Sequence, residues 1–253
     1  MNILVVLRAV RDPAGFTVNR KAQKVFVNRE RFIINPADRN ALEAGLQVTE
    51  GSVTAVALGG ETAHEVLRQA RAAGAARAIW VPLPEAAPLD ARGATAILQR
   101  VVGQIGSVDL VLLGAEVLDT DLAQVGPRLA AALDWPFMEE VYQARALPEG
   151  GLGLVVRAAT GEYRLAGAGG PAVAGVARDC NKPRFAPAAR IITLYQDPHA
   201  VEQLSLAELG LDEAQLSPAT NVRGESFPPE RTLGQMLAGD DAPRELARAL
   251  KGS

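Results

Sequence analysis

The chain has 253 residues, of which 48% are hydrophobic and only 4% are aromatic, so alanine, valine and leucine must fill most of its core. This length suits one large domain, or one domain with an appendage. The shortage of aromatic side chains and the formal net charge of −3 argue against a nucleic-acid partner, which needs stacking platforms or a basic surface.

The single cysteine, Cys180, excludes an internal disulfide and a thiolate metal cage. It suits a reducing compartment, and a cytoplasmic location is the expectation. The first ten residues, MNILVVLRAV, are too short for the apolar segment of a signal peptide and are typical of a first strand. No apolar run approaches the roughly 20 residues needed to cross a bilayer, so membrane insertion is not expected.

Strand and helix patterns alternate from residue 1 to about residue 136. Asn2–Val10 is a continuous apolar run, which predicts a strand buried on both faces. Residues 11–34 predict a β-excursion, after which Asn35–Asp38 open a helix with Asn or Asp as its cap. The later units are predicted, in order, as strand Ser52–Leu58, helix Glu61–Ala73, strand Ala78–Pro82, helix 91–105, strand Asp109–Gly114 and helix Leu122–Leu133. This alternation predicts a parallel sheet with helices on both faces.

The pattern changes after Trp135-Pro136. Short strands are predicted at Glu139–Ala146, Leu152–Ala158, Glu162–Ala166 and Pro171–Ala177, with glycine-rich turns among them. The predicted fold class is therefore α/β, with a parallel-sheet core, helices on both faces, antiparallel additions and an extended C-terminal arm. We predict an α/β nucleotide-binding domain over residues 1–186 and the arm over residues 187–253.

The arm carries proline, glycine and charge with only short amphipathic pieces, and it cannot build a core of its own. It is either a disordered tail or a segment that packs on a partner. Five of its apolar residues favour the partner, because they are too many to leave in water. They are Leu204, Leu206, Leu209, Leu211 and Leu216.

The usual catalytic side chains are scarce. His64 and His199 have no third metal ligand at helical spacing, and Cys180 has no activating base that the sequence identifies. We expect no metal site and no catalytic nucleophile. The turn Gly59-Gly60 joins a strand to a helix, where backbone N–H groups bind anions, although a simple tight turn is an equal interpretation.

The segment from Asp109 to Pro136 is more specific, because a buried strand runs into a polar loop and then into a helix. Asp119 and Asp121 suit the hydroxyl groups of a ribose, Gln124 suits an amide or base edge, and Gly126 lets the backbone approach a ligand. The alternative is that the aspartates only cap the following helix. The chemistry favours a bound ligand over capping alone.

Six blocks in one order resemble the β subunit of electron transfer flavoprotein over nearly the whole chain. They are ILVVLRAVRD, INPADRNALEAGLQV, VTAVALGGETAHEVLRQARAAGAARAIWV, DLVLLGAEVLDTDLAQVGPRLAAALDWP, PAVAGVARDCNKPRFAP and LAELGLDEAQLSPATNVRGESFPPER. The resemblance implies a redox carrier that pairs with an α subunit, on which the arm packs. One FAD lies mainly on the α subunit. Flavin dehydrogenases reduce it, and the electrons pass to a quinone oxidoreductase or another acceptor.

The resemblance also implies that this subunit binds a second nucleotide, AMP in the common branch and FAD in the electron-bifurcating branch. The positions that match the family's site are Val6, Asn35, Pro36, Ala37, Asp38, Leu58, Asp119, Thr120, Asp121, Leu122, Ala123, Gln124, Val125, Gly126 and Pro127.

Several positions depart from the family patterns. Ala123 and Val125 stand where the AMP branch has Asn and Thr, and this resembles the bifurcating and nitrogen-fixation-associated branch. Two stretches depart from that branch as well, namely 119–121 and 10–12. Arg157 of the family's acidic signature is kept, but Thr160 replaces an acid.

The docking loop of the family differs too. Pro183-Arg184-Phe185 is present, but Ala188 replaces the anchoring Leu and Thr193–Gln196 replace a run of lysines. Docking to acyl-CoA dehydrogenases is therefore not expected.

Two other functions compete with the redox carrier. A stand-alone adenine-nucleotide-binding protein of universal-stress type would share the architecture, but it would not need the apolar arm. An ATP-cleaving ligase or pyrophosphatase would need an SGG-x-D loop after the first strand, where this chain has Arg8-Ala9-Val10-Arg11.

Overall fold

The computed structural model describes residues 1–48, 51–84, 89–118, 122–147, 151–158, 160–161, 163–219, 224, 226–227, 234 and 236–251. The strands are β1 (Asn2–Val6), β2 (Ala9–Arg11), β3 (Phe16–Asn19), β4 (Lys24–Val27), β5 (Phe32–Ile34), β6 (Ser52–Gly59), β7 (Arg77–Pro82), β8 (Leu110–Gly114), β9 (Phe137–Ala146), β10 (Leu152–Arg157), β11 (Tyr163–Ala168), β12 (Ala172–Val176) and β13 (Glu202–Gln203). The α-helices are α1 (Pro36–Gln47), α2 (Glu61–Ala73), α3 (Ala91–Ile105), α4 (Val125–Leu133), α5 (Ala188–Gln196) and α6 (Ala242–Lys251).

One large sheet organises the chain, in the order β11-β10-β9-β12-β8-β1-β6-β7-β13. Neighbours from β9 to β13 are parallel, whereas β10 is antiparallel to both β9 and β11. The predicted fold class, a parallel core with antiparallel additions, is confirmed. Of the strands predicted after Trp135-Pro136 as additions, however, β9 and β12 extend the parallel core, and the antiparallel pairing is that of β10.

The central strand β1 shows why helices cover both faces. Its alternate residues Ile3 and Val5 pack in a core cluster with α1 and α2, while Leu4 and Val6 pack in a second cluster with α3 and α4. A parallel strand buried on both faces needs apolar residues at every position, which explains the continuous apolar run at the N-terminus.

The predicted first strand, Asn2–Val10, is wrong in its extent. β1 ends at Val6, and β2 belongs to a separate two-stranded sheet with β5. The break falls at Arg8, whose backbone and side chain both bond to Asp38 and turn the chain away from the sheet. The β-excursion predicted for residues 11–34 is confirmed and contains the β3–β4 hairpin.

The C-terminal part holds two helices, α5 and α6, and a two-residue strand, β13, that the sequence did not predict. β13 extends the sheet beside β7. Leu209 and Leu216 are buried in the second core cluster, and the other three leucines of the arm pack against it. Their burial therefore needs no second subunit. That the rest of the arm packs on an α subunit stays a prediction, and much of residues 220–235 lies outside the described residues.

Candidate functional site

A crevice at the carboxyl edge of the sheet lies between β1 and β8. The chain builds β6 and β7 on one side of β1, then crosses through α3 to place β8 on the other side. Such a reversal of strand order separates the loops above it and forms the usual ligand crevice of open α/β sheets. Val6 ends β1 and Leu58 lies near the end of β6, so the structure brings these two predicted positions to one edge, where Gly114 ends β8.

A buried carboxylate holds the floor of this crevice. Asp38 Oδ1 accepts a hydrogen bond from the Gly114 amide at 2.7 Å, and Oδ2 accepts from the backbone N–H of Arg8 at 2.9 Å. The Arg8 guanidinium binds both carboxylate oxygens and donates to the Gly114 carbonyl at 2.8 Å. The Asp38 side chain is fully buried and Arg8 nearly so. Asp38 was predicted as a cofactor-binding residue, but its acceptor positions are occupied by the protein, so its role here is to position β1, α1 and β8.

Asn35 ties α1 to the loop after β8. It precedes the helix as expected, but its side chain makes no capping hydrogen bond. Instead its Nδ2 donates to the Glu116 carbonyl at 2.8 Å, and its backbone N–H donates to the Arg8 carbonyl at 2.9 Å. The expectation of a side-chain cap at this helix is wrong because a carbonyl across the crevice holds the amide. Pro36 occupies the first turn, and Ala37 packs so closely on Gly114 that a Cβ there would lie 2.5 Å from the alanine Cβ.

The loop after β8 reaches α4 through a short 3-10 helix, Leu122–Gln124. Ala123, Gln124 and Pro127 are exposed. The Gln124 side-chain oxygen accepts hydrogen bonds from Arg128, at 3.3 Å from Nε and 3.2 Å from Nη2. The predicted ribose-binding positions Asp119, Thr120 and Asp121 lie outside the described residues.

Val125 and Gly126 face inward at the start of α4. Val125 is buried in the second core cluster, so its side chain points away from the crevice. A Cβ on Gly126 would lie 2.9 Å from the ring of Phe137. The close neighbour of this glycine is thus an aromatic ring of β9, and the approach of a ligand to its backbone stays a prediction. At the described start of α4 and its 3-10 helix, Ala123 and Gln124 are exposed to solvent.

The Gly59-Gly60 turn leads from β6 into α2. Gly59 has a φ of 131°, and its carbonyl accepts the Trp80 indole N–H at 2.8 Å. Gly60 precedes α2 with no side-chain cap, and Glu61 stands in the first turn. A carboxylate there interacts favourably with the helix dipole and disfavours a second anion at this helix end.

A family model described as the electron transfer flavoprotein domain matches residues 23–207. The chain belongs to this electron transfer flavoprotein family. It is 29% identical over 247 residues to "Electron transfer flavoprotein subunit beta" of Thermoanaerobacterium thermosaccharolyticum, covering 95% of this chain and 93% of the relative. The same name and identity apply to a Bacillus subtilis relative over 255 residues, 99% of this chain and 96% of the relative.

A third relative bears the name "Caffeyl-CoA reductase-Etf complex subunit CarD" and comes from Acetobacterium woodii. It is 29% identical over 248 residues, which cover 94% of this chain and 92% of the relative. The resemblance drawn from the six sequence blocks is confirmed. Full-length matches to electron transfer flavoprotein β subunits support that role over the universal-stress alternative.

The docking-loop motif of the family is anchored to α1. The Arg184 guanidinium binds the buried carboxylate of Glu43 through Nε at 2.8 Å and Nη2 at 3.0 Å. Burial by itself raises the pKa of Glu43, but hydrogen bonds from Arg184 and Gln47 outweigh it and hold this pKa below its usual value. Phe185 is 83% exposed, with Arg39 over its ring at 5.6 Å. The loop is thus rigid at its stem and presents an aromatic side chain.

A separate cleft lies at β9 and β10. It is lined by Glu139, Glu140, Arg157, Ala158 and Gly161 and has a volume of about 430 Å³. A second cavity of about 200 Å³ shares the two glutamates and reaches Glu116 in the loop after β8. Glu140 adopts a φ of 54° at a bulge of β9. Of these side chains, only Arg157 was singled out from the sequence, because it belongs to the family's acidic signature.

Arg8 is the site residue that sequence reasoning missed. An arginine directly after a buried apolar strand is a usable signal, since a nearly buried guanidinium needs a carboxylate partner. Asp38, in the block INPADRNA, supplies it.

The histidines and the cysteine fit structural roles. His64 lies against Trp80, with ring centroids 4.9 Å apart, and burial lowers its pKa. Burial raises the pKa of the Cys180 thiol to about 11, so the thiol stays protonated at neutral pH. Over the described residues, the side chains that usually bind metals form no group of three or more, and no helix is both long and apolar enough to span a bilayer.

Proposed function

We propose that this chain is the β subunit of a heterodimeric electron transfer flavoprotein. It pairs with an α subunit that carries FAD, and it binds an adenine nucleotide, AMP or a second FAD, at the β1–β8 crevice. Electrons pass from flavin dehydrogenases to a quinone oxidoreductase or another acceptor, in the cytoplasm. The bound flavin supplies the redox chemistry, and this chain is a carrier subunit without a catalytic nucleophile or base.

One observation carries the nucleotide site. Four helices begin at the carboxyl edge of the sheet, and three of them, α1, α2 and α4, have no side-chain cap among the described residues. The fourth, α3, is capped by Asp90, which accepts the Gly93 N–H at 2.8 Å. Uncapped helix starts present backbone N–H groups that suit phosphate oxygens. Two of these uncapped helices, α1 and α4, begin beside the crevice. The acid in the first turn of α1, Asp38, is paired with Arg8.

The side chains at this site have two different roles, positioning the backbone and binding the ligand. Arg8, Asp38 and Asn35 hold the backbone of three elements in place, and the Asp38 carboxylate is paired with Arg8. Gln124 and Arg128, at the exposed start of α4, offer an amide and a guanidinium to a ligand. This donor set fits an anionic nucleotide, since charged and neutral donors together bind phosphate and base edges.

The decisive experiment is to produce this chain with its α subunit, denature the purified complex and identify the released nucleotides by chromatography. One FAD with one AMP assigns the common branch, and two FAD assign the bifurcating branch. FAD alone would overturn the nucleotide site in this chain. A full-length chain that stays a stable monomer in the presence of the α subunit and does not bind it would overturn the heterodimer.

A further inference from the structure

The β3–β4 hairpin stands apart from the rest of the fold. Among the described residues its strands pair only with each other, with Phe16 opposite Val27 and Val18 opposite Val25. Its base is fixed, because the Gly15 carbonyl accepts the backbone N–H groups of Asn28 at 2.9 Å and Arg29 at 3.2 Å. A Cβ on Gly15 would lie 2.0 Å from the Arg29 carbonyl oxygen, so this approach needs glycine. The hairpin therefore projects from the fold with its base held by backbone hydrogen bonds.

One face of the hairpin is apolar and uncovered. Alternation along the strands places Phe16, Val18, Val25 and Val27 on the same face. The three valines are 54%, 51% and 55% exposed. An isolated two-stranded hairpin is only marginally stable in water, and a contiguous apolar face of this kind marks a contact surface.

The same segment is strongly basic although the chain as a whole is acidic. Residues 16–31 hold five basic side chains and one acid, Glu30. The basic residues are Arg20, Lys21, Lys24, Arg29 and Arg31, all exposed. A surface with this charge attracts a partner whose contact region carries carboxylates.

The distribution of these residues favours a protein over a membrane. A hairpin that enters a bilayer needs apolar residues at its tip, but this tip carries Arg20 and Lys21, and the valines lie along a flat side. An apolar face that is permanently exposed also favours a permanent subunit over a transient partner, because obligate interfaces are the more hydrophobic ones.

We propose that the apolar face of the β3–β4 hairpin contacts the α subunit, at an apolar strip bordered by carboxylates. This inference rests on the proposed heterodimer. The hairpin lies between β1 and α1 in the chain, and its neighbour β5 leads directly into the start of α1. The contact therefore places the α subunit beside the carboxyl edge that holds the nucleotide crevice.

The test is the triple variant Val18→Thr, Val25→Thr and Val27→Thr, measured for binding to the α subunit. Threonine keeps the β-branched shape that a strand prefers and removes the apolar contact. We expect the Kd for the α subunit to rise at least about tenfold, because buried apolar anchors carry much of the affinity of an interface. The matched control is Leu165→Thr on β11, which is 51% exposed and lies outside both the hairpin and the C-terminal arm. The Kd of this variant for the α subunit should stay unchanged.

Charge is tested separately with Lys21→Gln and Lys24→Gln. This pair should slow association with the α subunit, and the difference from the unmodified chain should shrink as salt is added. An association rate that does not change would overturn the carboxylate border.

Hydrogen–deuterium exchange on the unmodified chain guards against a triple variant that fails to fold. Backbone amides of residues 16–27 should exchange more slowly once the α subunit is bound. Two results would overturn the hairpin contact and leave the proposed function standing. The unmodified chain could form the heterodimer without added protection of the hairpin amides, or the triple variant could bind the α subunit with the same Kd as the unmodified chain. If the unmodified chain binds no α subunit, both fall. A membrane contact is tested by sedimentation with phosphatidylserine vesicles. If the heterodimer sediments with the vesicles and the triple variant does not, the hairpin contacts a membrane and the proposed protein contact is wrong.

Discussion

The two sides of the β1–β8 crevice are built in opposite ways. On the inner side, Asp38 is buried and its acceptor positions are filled by Arg8 and the Gly114 amide. On the outer side, the start of α4 exposes Ala123 and Gln124. Each side has a helix start without a side-chain cap. We propose that the inner side chains set the shape of the crevice and that the outer side chains recognise the nucleotide.

The largest effect is expected on the inner side. Asp38→Ala leaves the nearly buried Arg8 guanidinium without its carboxylate and should lower the free energy of unfolding by about 3–5 kcal/mol. Urea denaturation measures this loss. The control is Glu202→Gln, which breaks the half-exposed ion pair with Arg77 and should cost less than about 1 kcal/mol. Equal losses in the two variants would contradict the positioning role of Asp38.

The boundary between the two sides is tested by Gly126→Ala. The new Cβ would press on the Phe137 ring, and we expect a loss of about 1–3 kcal/mol in the free energy of unfolding. Thermal unfolding measures it. The double variant Gly126→Ala with Phe137→Leu should recover part of the loss by making room. A single variant as stable as the parent would show that this glycine serves the ligand and not the packing.

The outer side should respond in binding and not in stability. Gln124→Ala should weaken nucleotide binding by about 1 kcal/mol, roughly fivefold in Kd, while the free energy of unfolding changes by less than about 0.5 kcal/mol. Calorimetric titration of the nucleotide-depleted heterodimer checks the first value. Gln69→Ala, an exposed glutamine on α2, is the matched control and should leave the Kd unchanged.

The smallest effect concerns a second buried carboxylate on α1. The pKa of Glu43 lies below its ordinary value of 4.5, so its contribution to stability is present above that value and is lost as the pH falls through the lowered pKa. Because the Arg184 side chain is partly exposed, the difference in unfolding free energy between about pH 7 and about pH 3 should be below about 1 kcal/mol for this pair. Glu43→Gln should remove that part of the pH dependence in urea titrations. A variant with the same dependence as the parent would assign it to other groups.

The spacing of apolar residues and the end signals along the chain predicted the elements that depend mainly on local sequence. The bounds of α2 follow from Ala63, Val66 and Leu67 at helical spacing and from Gly74 at the end, which has a φ of 140°. β13 was missed because two residues carry no periodicity, and only the open edge of β7 makes Glu202 and Gln203 a strand. α5 was missed because it begins after Pro187 with no side-chain cap and buries only Leu194.

The sequence predicted where the candidate site lies, but not which of its side chains are occupied by contacts within the protein. The blocks around Asn35 and Gln124 located the crevice. The partners of Asp38 lie 30 and 76 residues away along the chain, so no local pattern shows that its oxygens are already occupied. The burial of Val125 likewise depends on packing with α3 and β12, which the sequence does not display.

The late strand β13 has a consequence for the order of synthesis. It pairs Glu202 with Ile79, and a bidentate bond between Arg77 and Glu202 closes the same edge. While the chain emerges from the ribosome, β7 can form long before residue 202 is made, and its free edge then offers unpaired N–H and C=O groups to any neighbouring strand. In the interval between making β7 and making β13, this edge is open to misassembly, and a chaperone that shields strand edges would act in that window.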